Sequence, residues 1–552
     1  MNSPTCELPA ALDLIRDYHQ RTKHRFEAYA RSPGSLDWDE MPAPFRHYEG
    51  CPQIALPLLQ EARAGTPLGN ALARPFGSLD QAIEAVPVDL ASIAALLQLS
   101  LGLTAWKNLG PDRWAVRANP SSGNLHPTEA WLLIHGIAGL ADGLYHYRPE
   151  NHSIELRAAH PAGTGQPRLA VALSSVMWRE AWKYGERAFR YCQLDTGHAA
   201  GCLRMAAACL GWGLQEQPQL ASTDLAALLG VDRQQDYPAR KTPATEIEEA
   251  ELLLAIRHPQ LPAFELSSAQ ARELAAGARW QGVASSIDRH PMYRWPVIDA
   301  VAEASRQPAG SIAPAYDLPA PLPRQMACER PAAELILGRR SAQRFDHYYH
   351  LPRATLRSLL QRLQPVAAAP WDCLSQPSNA ALLLFVQHVE DMAPGLYLLL
   401  RDATIGPALL AELGPRFECN PVEGFDQLYL LAARQPVELQ RIARNLHCHQ
   451  ELAANACFAA GMLCAFDDNI AAQPWAYRQL YRQCGLLGQQ LYLEAEAHGL
   501  RGTGIGCFFD DPVHELLGLS GQRWQSLYHF TVGSPVNDPR IESTPAYADR
   551  QP

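Results

Sequence analysis

The sequence contains thirteen cysteines but no Cys-x-x-Cys pair, and the odd, scattered set does not form a disulfide framework. Zinc ribbons and dithiol motifs of that spacing are therefore not expected, and free thiols suit a reducing cytoplasm. Long apolar runs are also missing. The stretch from Ala453 to Phe466 is too short and too polar to span a bilayer, so no membrane association is expected. The opening MNSPTCELPAALDL carries Glu7 and no Lys or Arg before Arg16, which is not the pattern of a signal peptide. Basic charge is in deficit, with 47 Lys and Arg against 57 Asp and Glu for a formal net charge of −10. With no Lys/Arg run, this balance argues against a nucleic-acid binder. His447, Cys448 and His449 form a dense string, but adjacent residues on a helix point in different directions and do not converge on one ion, so no metal is expected.

What the chain does contain is length and repetition. At 552 residues it exceeds what one hydrophobic core organises, and its 47% apolar and 19% charged residues are those of ordinary globular domains. Residues 1–70 are rich in Pro, Gly, aromatics and charge and read as an irregular N-terminal extension. Residues 259–326 turn loose again, ending in PAPLPRQ, and read as a linker. This leaves a first domain over 71–258 and a second over 327–552.

The two domains echo each other in one order. VPVDLASIAALL from Val86 parallels LPRATLRSLL from Leu351, each a Pro-started helix with apolar spacings of three and four. The strand-like WLLIHG from Trp131 parallels ALLLFVQH from Ala381. ADGLYHYR from Ala141 matches APGLYLLL from Ala393, and LAALLGVD from Leu225 matches HELLGLS from His514. The differences are complementary. Only the first copy carries NPSSGNLHPTE, from Asn119, where the second has QPSNAA from Gln376. Only the second carries GRRSAQRFD, from Gly338, where the first has Arg74-Pro75-Phe76. RGTGIGCFFDD from Arg501 likewise faces GWGLQEQPQLAS, which lacks the Gly pattern.

RANPSSGNLHPTE, WREAWKYGERAFRYCQLDTGH, GRRSAQRFD, GTGIGCFFDDPVHELLGL and the late VGSPVNDPR occur in the order of the nitroreductase superfamily. The sequence resembles that superfamily, and within it the SagB-type (thiazole/oxazole) dehydrogenase branch, between about Gly77 and Arg540. The resemblance implies an α+β fold: two fused nitroreductase-like domains, each a β-sheet flanked by helices, forming an intramolecular pseudo-dimer. Homodimeric members hold two FMN at their interface. The complementary losses here imply one FMN per chain, one live site and one dead one.

For that FMN, Arg339, Arg340 and Ser341 are the expected phosphate contacts, with Arg344 as helper and Arg540 as a second contact. Ser121, Ser122 and Asn124 are the expected partners of the flavin ring edge, and Gly504, Ile505 and Gly506 would bring backbone N–H groups to flavin N5 and O4. PVEGFD from Pro421 is set aside because it precedes an expected buried helix over about Glu451 to Phe466. Lys183 and Tyr184 match the branch's catalytic pair, Lys183 as base and Tyr184 as donor, and Lys183 shares a face with Arg187 if the segment is one helix. Asp195 and His198 match the branch pattern without an assigned chemistry.

Three functions stay open. The first is a dehydrogenase oxidising an azoline or similar C–N bond in a peptide-derived natural product, with hydride to flavin N5 and O2 as acceptor. Because the chain has no ATP-binding cyclase motif, a biosynthetic partner enzyme would make the ring. The second is an NAD(P)H-dependent nitro, quinone or enone reductase, and the third a non-catalytic flavoprotein scaffold. Monomer and homodimer are both compatible with a fused chain.

Overall fold

A computed structural model describes residues 8–161, 166–240, 243–311, 316–324 and 326–550, so the first half of the opening segment lies outside the described residues. Apolar runs such as Thr128–His135 and Ala380–Val386 form strands buried along their whole length. Their alternate side chains enter two different cores. Leu132 and Ile134, like Leu382 and Leu384, pack into a central core, whereas Trp131 and Leu133, or Leu383 and Phe385, pack into an outer one. A sheet covered on both faces needs apolar residues at both parities, which is why these strands read as continuous runs.

Two large sheets result, which share the order of six strands and differ in the outermost one. The first runs Arg279–Trp280, Ser153–Ala159, Gly143–Arg148, Thr128–His135, Arg168–Ser175, Glu249–Arg257, Gly213–Glu216. The second runs Asn420–Pro421, Leu428–Ala433, Gly395–Leu399, Ala380–Val386, Phe458–Ala465, Trp524–Gly533, Arg501–Ile505. Neighbouring strands are antiparallel throughout. All four sequence echoes fall on equivalent elements, including the helices Leu90–Ser100 and Arg353–Gln361, and Ser222–Leu229 and Asp510–Leu517.

Between the sheets lie two 22-residue helices, Ala188–Cys209 and Ala476–Ala497. They cross at Gly197 and Gly485, which stand at the same position counted from each helix's start. A Cβ on Gly197 would sit 2.1 Å from the Arg482 carbonyl oxygen, and one on Gly485 would sit 2.1 Å from that of Leu194. Only glycine permits this approach. The crossing sets the distance between the halves, and the site lies where their loops meet beside it.

The segments read as extension and linker carry regular structure. Helix Leu8–Arg21 packs against helix Pro296–Ala304, and Gln53–Ala55 pairs with Ser153–Glu155. Helix Ser268–Gly277 begins with a capping box at Ser267 and Gln270, and Arg279–Trp280 joins the edge of the first sheet. Their Pro-rich flanks hid elements too short to show a period. Ala453 to Phe466 departs from its expected helix: after a short helix Glu451–Asn455, residues Phe458–Ala465 form a fully buried strand. An apolar run of this length carries no period that separates helix from strand.

Candidate functional site

Helix Ala332–Gly338 ends at Arg339, whose extended backbone turns its side chain into the other half of the chain. Arg339 Nε donates to the Ala118 carbonyl at 3.1 Å and Nη2 to that of Arg117 at 3.2 Å, while Nη1, also buried, has no partner. The guanidinium lies 4.9 Å from the Tyr492 ring centre. Around it opens a cavity of about 600 Å³ lined by Lys107, Arg117, Asn119, Ser121, Asn124, Arg340, Ser341, Arg501 and residues 535–539. Its cations crowd one another. Burial, then Arg339, lowers the Arg340 pKa to about 10; burial, then Arg340 and Arg501, lowers that of Lys107. Glu496 offsets part of this charge, accepting from Arg340 N–H at 3.1 Å. These mutually repelling cations, of which Arg117 and Arg339 are buried, together with a free guanidinium N–H suit an anion.

A second cavity, about 280 Å³, shares Pro120, Ser121 and Ser341 with the first. The first half of the chain gives it Ser122, Gly123, Tyr184, Tyr191, Asp195 and His198; the second gives Tyr492, residues 503–507 and Tyr528. Its slot depends on missing side chains. A Cβ on Gly504 would lie 1.8 Å from the Tyr528 hydroxyl, and one on Gly506 would lie 2.1 Å from Tyr191 Cε1. Gly504 N–H donates to the Tyr492 hydroxyl at 2.9 Å, which Ser341 Oγ also contacts at 3.0 Å.

The opposing loop is held by its own polar groups. Ser122 donates through N–H to both Asp195 oxygens at 3.1 Å and through Oγ to Oδ1 at 2.9 Å. Ser121 Oγ accepts from His126 N–H at 2.8 Å and itself hydrogen-bonds to Asp195. Asn124 Nδ2 is committed to the Ala115 carbonyl at 2.9 Å. Ser122 and the Asn124 amide nitrogen thus fix the loop rather than offer free donors. Burial raises the Asp195 pKa to about 7 against the Ser121 and Ser122 hydrogen bonds. His198, 3.0 Å from the Tyr528 hydroxyl, is lowered to about 3 by burial and is neutral.

Lys183 and Tyr184 end the helix Met177–Tyr184. A Cβ on Gly123 would lie 2.5 Å from the Tyr184 hydroxyl and 3.2 Å from Lys183 Nζ, so the pair sits directly on the loop. Lys183 Nζ is 5.3 Å from the ring centres of Trp38 and Tyr184, and burial lowers its pKa. Burial raises that of Tyr184. Lys183 and Arg187 do not continue on one helical face: Gly185, at φ 55°, breaks the helix, and Arg187 instead pairs with buried Asp510 at 3.0 Å.

The structure thus gathers Ser121, Ser122, Asn124, Arg339, Arg340, Ser341, Gly504, Ile505, Gly506 and Tyr184 around two adjoining cavities, with Lys183 beside them. It does not bring Arg344 or Arg540 into the lining. Arg344 is exposed, and Arg540, 76% exposed, pairs with its neighbour Asp538 at 2.7 Å. The chain runs outward there because Glu542–Thr544 adds a strand to the hairpin Leu103–Arg117. Lys107, Arg117 and Arg501, to which the sequence assigned no phosphate contact, are the additional cations. Tyr191, Tyr492 and Tyr528 were also missed, lying in helix and strand runs that read as core. PVEGFD forms the turn between the edge strands Asn420–Pro421 and Leu428–Ala433 and lines neither cavity, although the helix used to discount it is a strand. His447 is buried 2.8 Å from His529, and among the described residues no group of His, Cys, Asp or Glu could hold a metal. No helix among them is long and apolar enough to cross a membrane.

Comparison with known proteins agrees with this fold. Residues 336–534 match the model of the Nitroreductase family. A protein of Methanocaldococcus jannaschii named "Putative nitroreductase MJ1384" is 26% identical over 164 residues, 28% of this chain and 78% of that protein. The "Trifolitoxin-processing protein TfxB" of Rhizobium leguminosarum bv. trifolii is 28% identical over 133 residues, 21% of this chain and 36% of its own length. A crystal structure from Anabaena variabilis, described with the same "putative nitroreductase" wording, superposes with a TM-score of 0.69 at 22% identity, covering 95% of this chain and 99% of that one. Residues 336–534 are thus similar to the Nitroreductase family, in a mixed α+β chain whose other half repeats the order of six of their strands.

Proposed function

We propose that the chain is an FMN-dependent oxidoreductase with one FMN held between its halves, acting as a SagB-type dehydrogenase on an azoline or similar C–N bond in a peptide-derived natural product. One observation carries the reading: a cationic cavity adjoins, through Pro120, Ser121 and Ser341, a second one opened by glycine, which Tyr184 lines and Lys183 stands beside. The residues present fit FMN. Lys107, Arg339, Arg340 and Arg501 suit its phosphate, which would satisfy the unpartnered Arg339 Nη1. Gly504 and Gly506 leave room for a planar ring. Bound FMN supplies the two-electron acceptor, with O2 as the final oxidant.

The chain's own groups handle the proton. Lys183 Nζ, its pKa lowered by burial, is closer to neutral than a free lysine and takes the proton released at the substrate carbon. Tyr184, kept protonated, donates a hydrogen bond that orients the ring. Trp38 covers Lys183 and limits water around the ammonium. Similarity to a protein named for trifolitoxin processing supports a natural-product substrate.

Titrating the refolded apoprotein with FMN is expected to give one equivalent per chain; two equivalents, or none, would sink the shared-site reading. Rapid mixing of the holoprotein with NADH and NADPH is expected to leave the flavin absorbance unchanged. Fast bleaching would instead favour the NAD(P)H-dependent reductase.

A further inference from the structure

Two cysteines meet at the edge of the ring-end cavity. Cys507 follows Gly506 and lines that cavity. The segment 446–450 runs beside it: Phe509 N–H donates to the Leu446 carbonyl at 2.9 Å, and Gln450 Nε2 to the Cys507 carbonyl at 3.2 Å. Cys448 and His449 both hold positive φ, 52° and 59°, in the turn that leaves helix Pro436–Leu446, and the Cys448 thiol hydrogen-bonds to that of Cys507. Both cysteines are partly exposed.

His24 and Arg187 complete the cluster. His24 Nδ1 accepts from Ala30 N–H at 2.9 Å, so the neutral ring carries its proton on Nε2, the nitrogen left to donate to the Cys507 sulfur. Arg187 donates to the Gly506 carbonyl at 3.1 Å and places its charge next to that sulfur. The Cys448 interaction, then His24 and Arg187, pull the Cys507 thiol below the usual thiol range against burial. Cys464 and Cys484 make a useful contrast. Their sulfurs are 3.5 Å apart but fully buried, and burial pushes the Cys484 thiol up, which leaves that pair inert.

We propose that Cys507 and Cys448 are a peroxide-reactive thiol pair facing the catalytic cavity, with Cys507 as the attacking sulfur and Cys448 as the resolving one. The Cys507 thiolate attacks one oxygen of hydrogen peroxide, the O–O bond breaks, and hydroxide leaves to take up a proton as water. Cys448 then displaces the oxygen of the Cys507 sulfenic acid, an S–S bond forms, and a second water is released. Two thiols lose two electrons and two protons, and one peroxide becomes two waters. Turnover with O2, as proposed above, would release peroxide in this cavity, but the thiol chemistry itself does not depend on that reading.

The test uses the full-length reduced protein, desalted and treated with stoichiometric hydrogen peroxide. Intact mass is expected to fall by about 2 Da, and peptide mapping to show a reducible link between Cys448 and Cys507. Cys448→Ser should stop at a Cys507 sulfenic acid that dimedone traps. Cys507→Ser should consume peroxide at least about tenfold more slowly. A link at Cys464 and Cys484 instead, an unchanged rate in Cys507→Ser, or no dimedone adduct in Cys448→Ser overturns the proposal. FMN stoichiometry measured on the same samples separates the two readings, because a chain that binds no FMN yet forms the link keeps this one and loses the other.

Discussion

Asp195 and Gln483 stand at the same position in the two long helices, and each accepts an N–H from the loop entering the central strand of its half. Ser122 N–H reaches Asp195 at 3.1 Å, and Asn379 N–H reaches Gln483 Oε1 at 3.1 Å. The likeness ends with the side chains around them. Gly504 opens one pocket; its counterpart by strand register is Glu216, whose carboxylate accepts from Ser375 N–H at 2.8 Å and Oγ at 2.7 Å. Tyr492 lines the open pocket, while Arg204 at the matching helix position pairs with Asp372 at 2.7 Å. Arg478 and Arg482 bind Glu249 and Glu251 across the second pocket, leaving a cavity of about 30 Å³ against about 280 Å³. The duplication kept the backbone frame twice and a usable space once. Emptying the filled copy means breaking buried ion pairs, at about 3–5 kcal/mol each when one partner is removed.

The largest test of this asymmetry is chemical. Lys183→Ala should lower turnover by about 10²–10⁴-fold with FMN still bound, the range for a removed general base. In the filled pocket Arg478 is held by Glu249 and Glu251, so Arg478→Ala should change thermal stability rather than turnover per bound flavin. Retained full activity in Lys183→Ala would remove the chemistry from the open pocket. Next is the anion end. Arg339→Ala should weaken FMN binding by about 100-fold, followed by flavin fluorescence, since hydrogen bonds to charged groups contribute about 1.5–3 kcal/mol each. Arg74, its counterpart, spends its guanidinium on the carbonyls of Ala208, Ser78 and Gln81. Arg74→Ala should therefore lower the Tm and leave FMN affinity unchanged.

Asp195 separates the halves by pH. Its folded pKa, about 7, lies above the ordinary 3.8, so the folded state binds the extra proton in that interval. The stability it contributes is complete below about 3.8 and is lost as pH rises toward 7, at up to about 1.4 kcal/mol per pH unit. Asp195→Asn makes this position permanently neutral, like Gln483, and should flatten that slope in urea denaturation of the apoprotein between pH 5 and 7. An unchanged slope would mean that Asp195 is ionised in the folded protein.

The sequence made the duplicated α+β architecture legible, because Leu-Tyr strands and apolar helices shortly after a proline recur in the same order at Gly143 and Gly395 or at Leu90 and Arg353. It also located Ser121, Arg339, Gly504 and Tyr184, which lie in loops or at helix ends where backbone constraints leave recognisable residue patterns. The tyrosines of the ring end were not legible, since Tyr492 within a buried helix looks like any core aromatic. Lys107 and Arg501 escaped for another reason: they are single charges on separate strands, brought together only when the halves close. The plug was hidden in the same way. Glu249, Glu251, Arg478 and Arg482 read as ordinary surface charge until the fold buries them against one another.

The smallest effect concerns one methyl group. In Gly504→Ala the new Cβ overlaps the Tyr528 hydroxyl, which is held at 3.0 Å by His198. Tyr528 must then give up that contact or the strand Arg501–Ile505 must shift away from its neighbour Trp524–Gly533, a cost of about 1–3 kcal/mol. The displaced ring would enter the slot, so FMN affinity should fall by about tenfold while the anion end stays intact. Inorganic phosphate should then still compete with FMN at its former concentration, because Arg339 and Arg340 are untouched. The reverse change in the filled pocket, Glu216→Gly, frees Ser375 but leaves Arg478 and Arg482 paired with Glu249 and Glu251, so FMN stoichiometry should not rise. A second equivalent of FMN in Glu216→Gly would show that a single carboxylate, rather than the ion-pair network behind it, closes the silent copy.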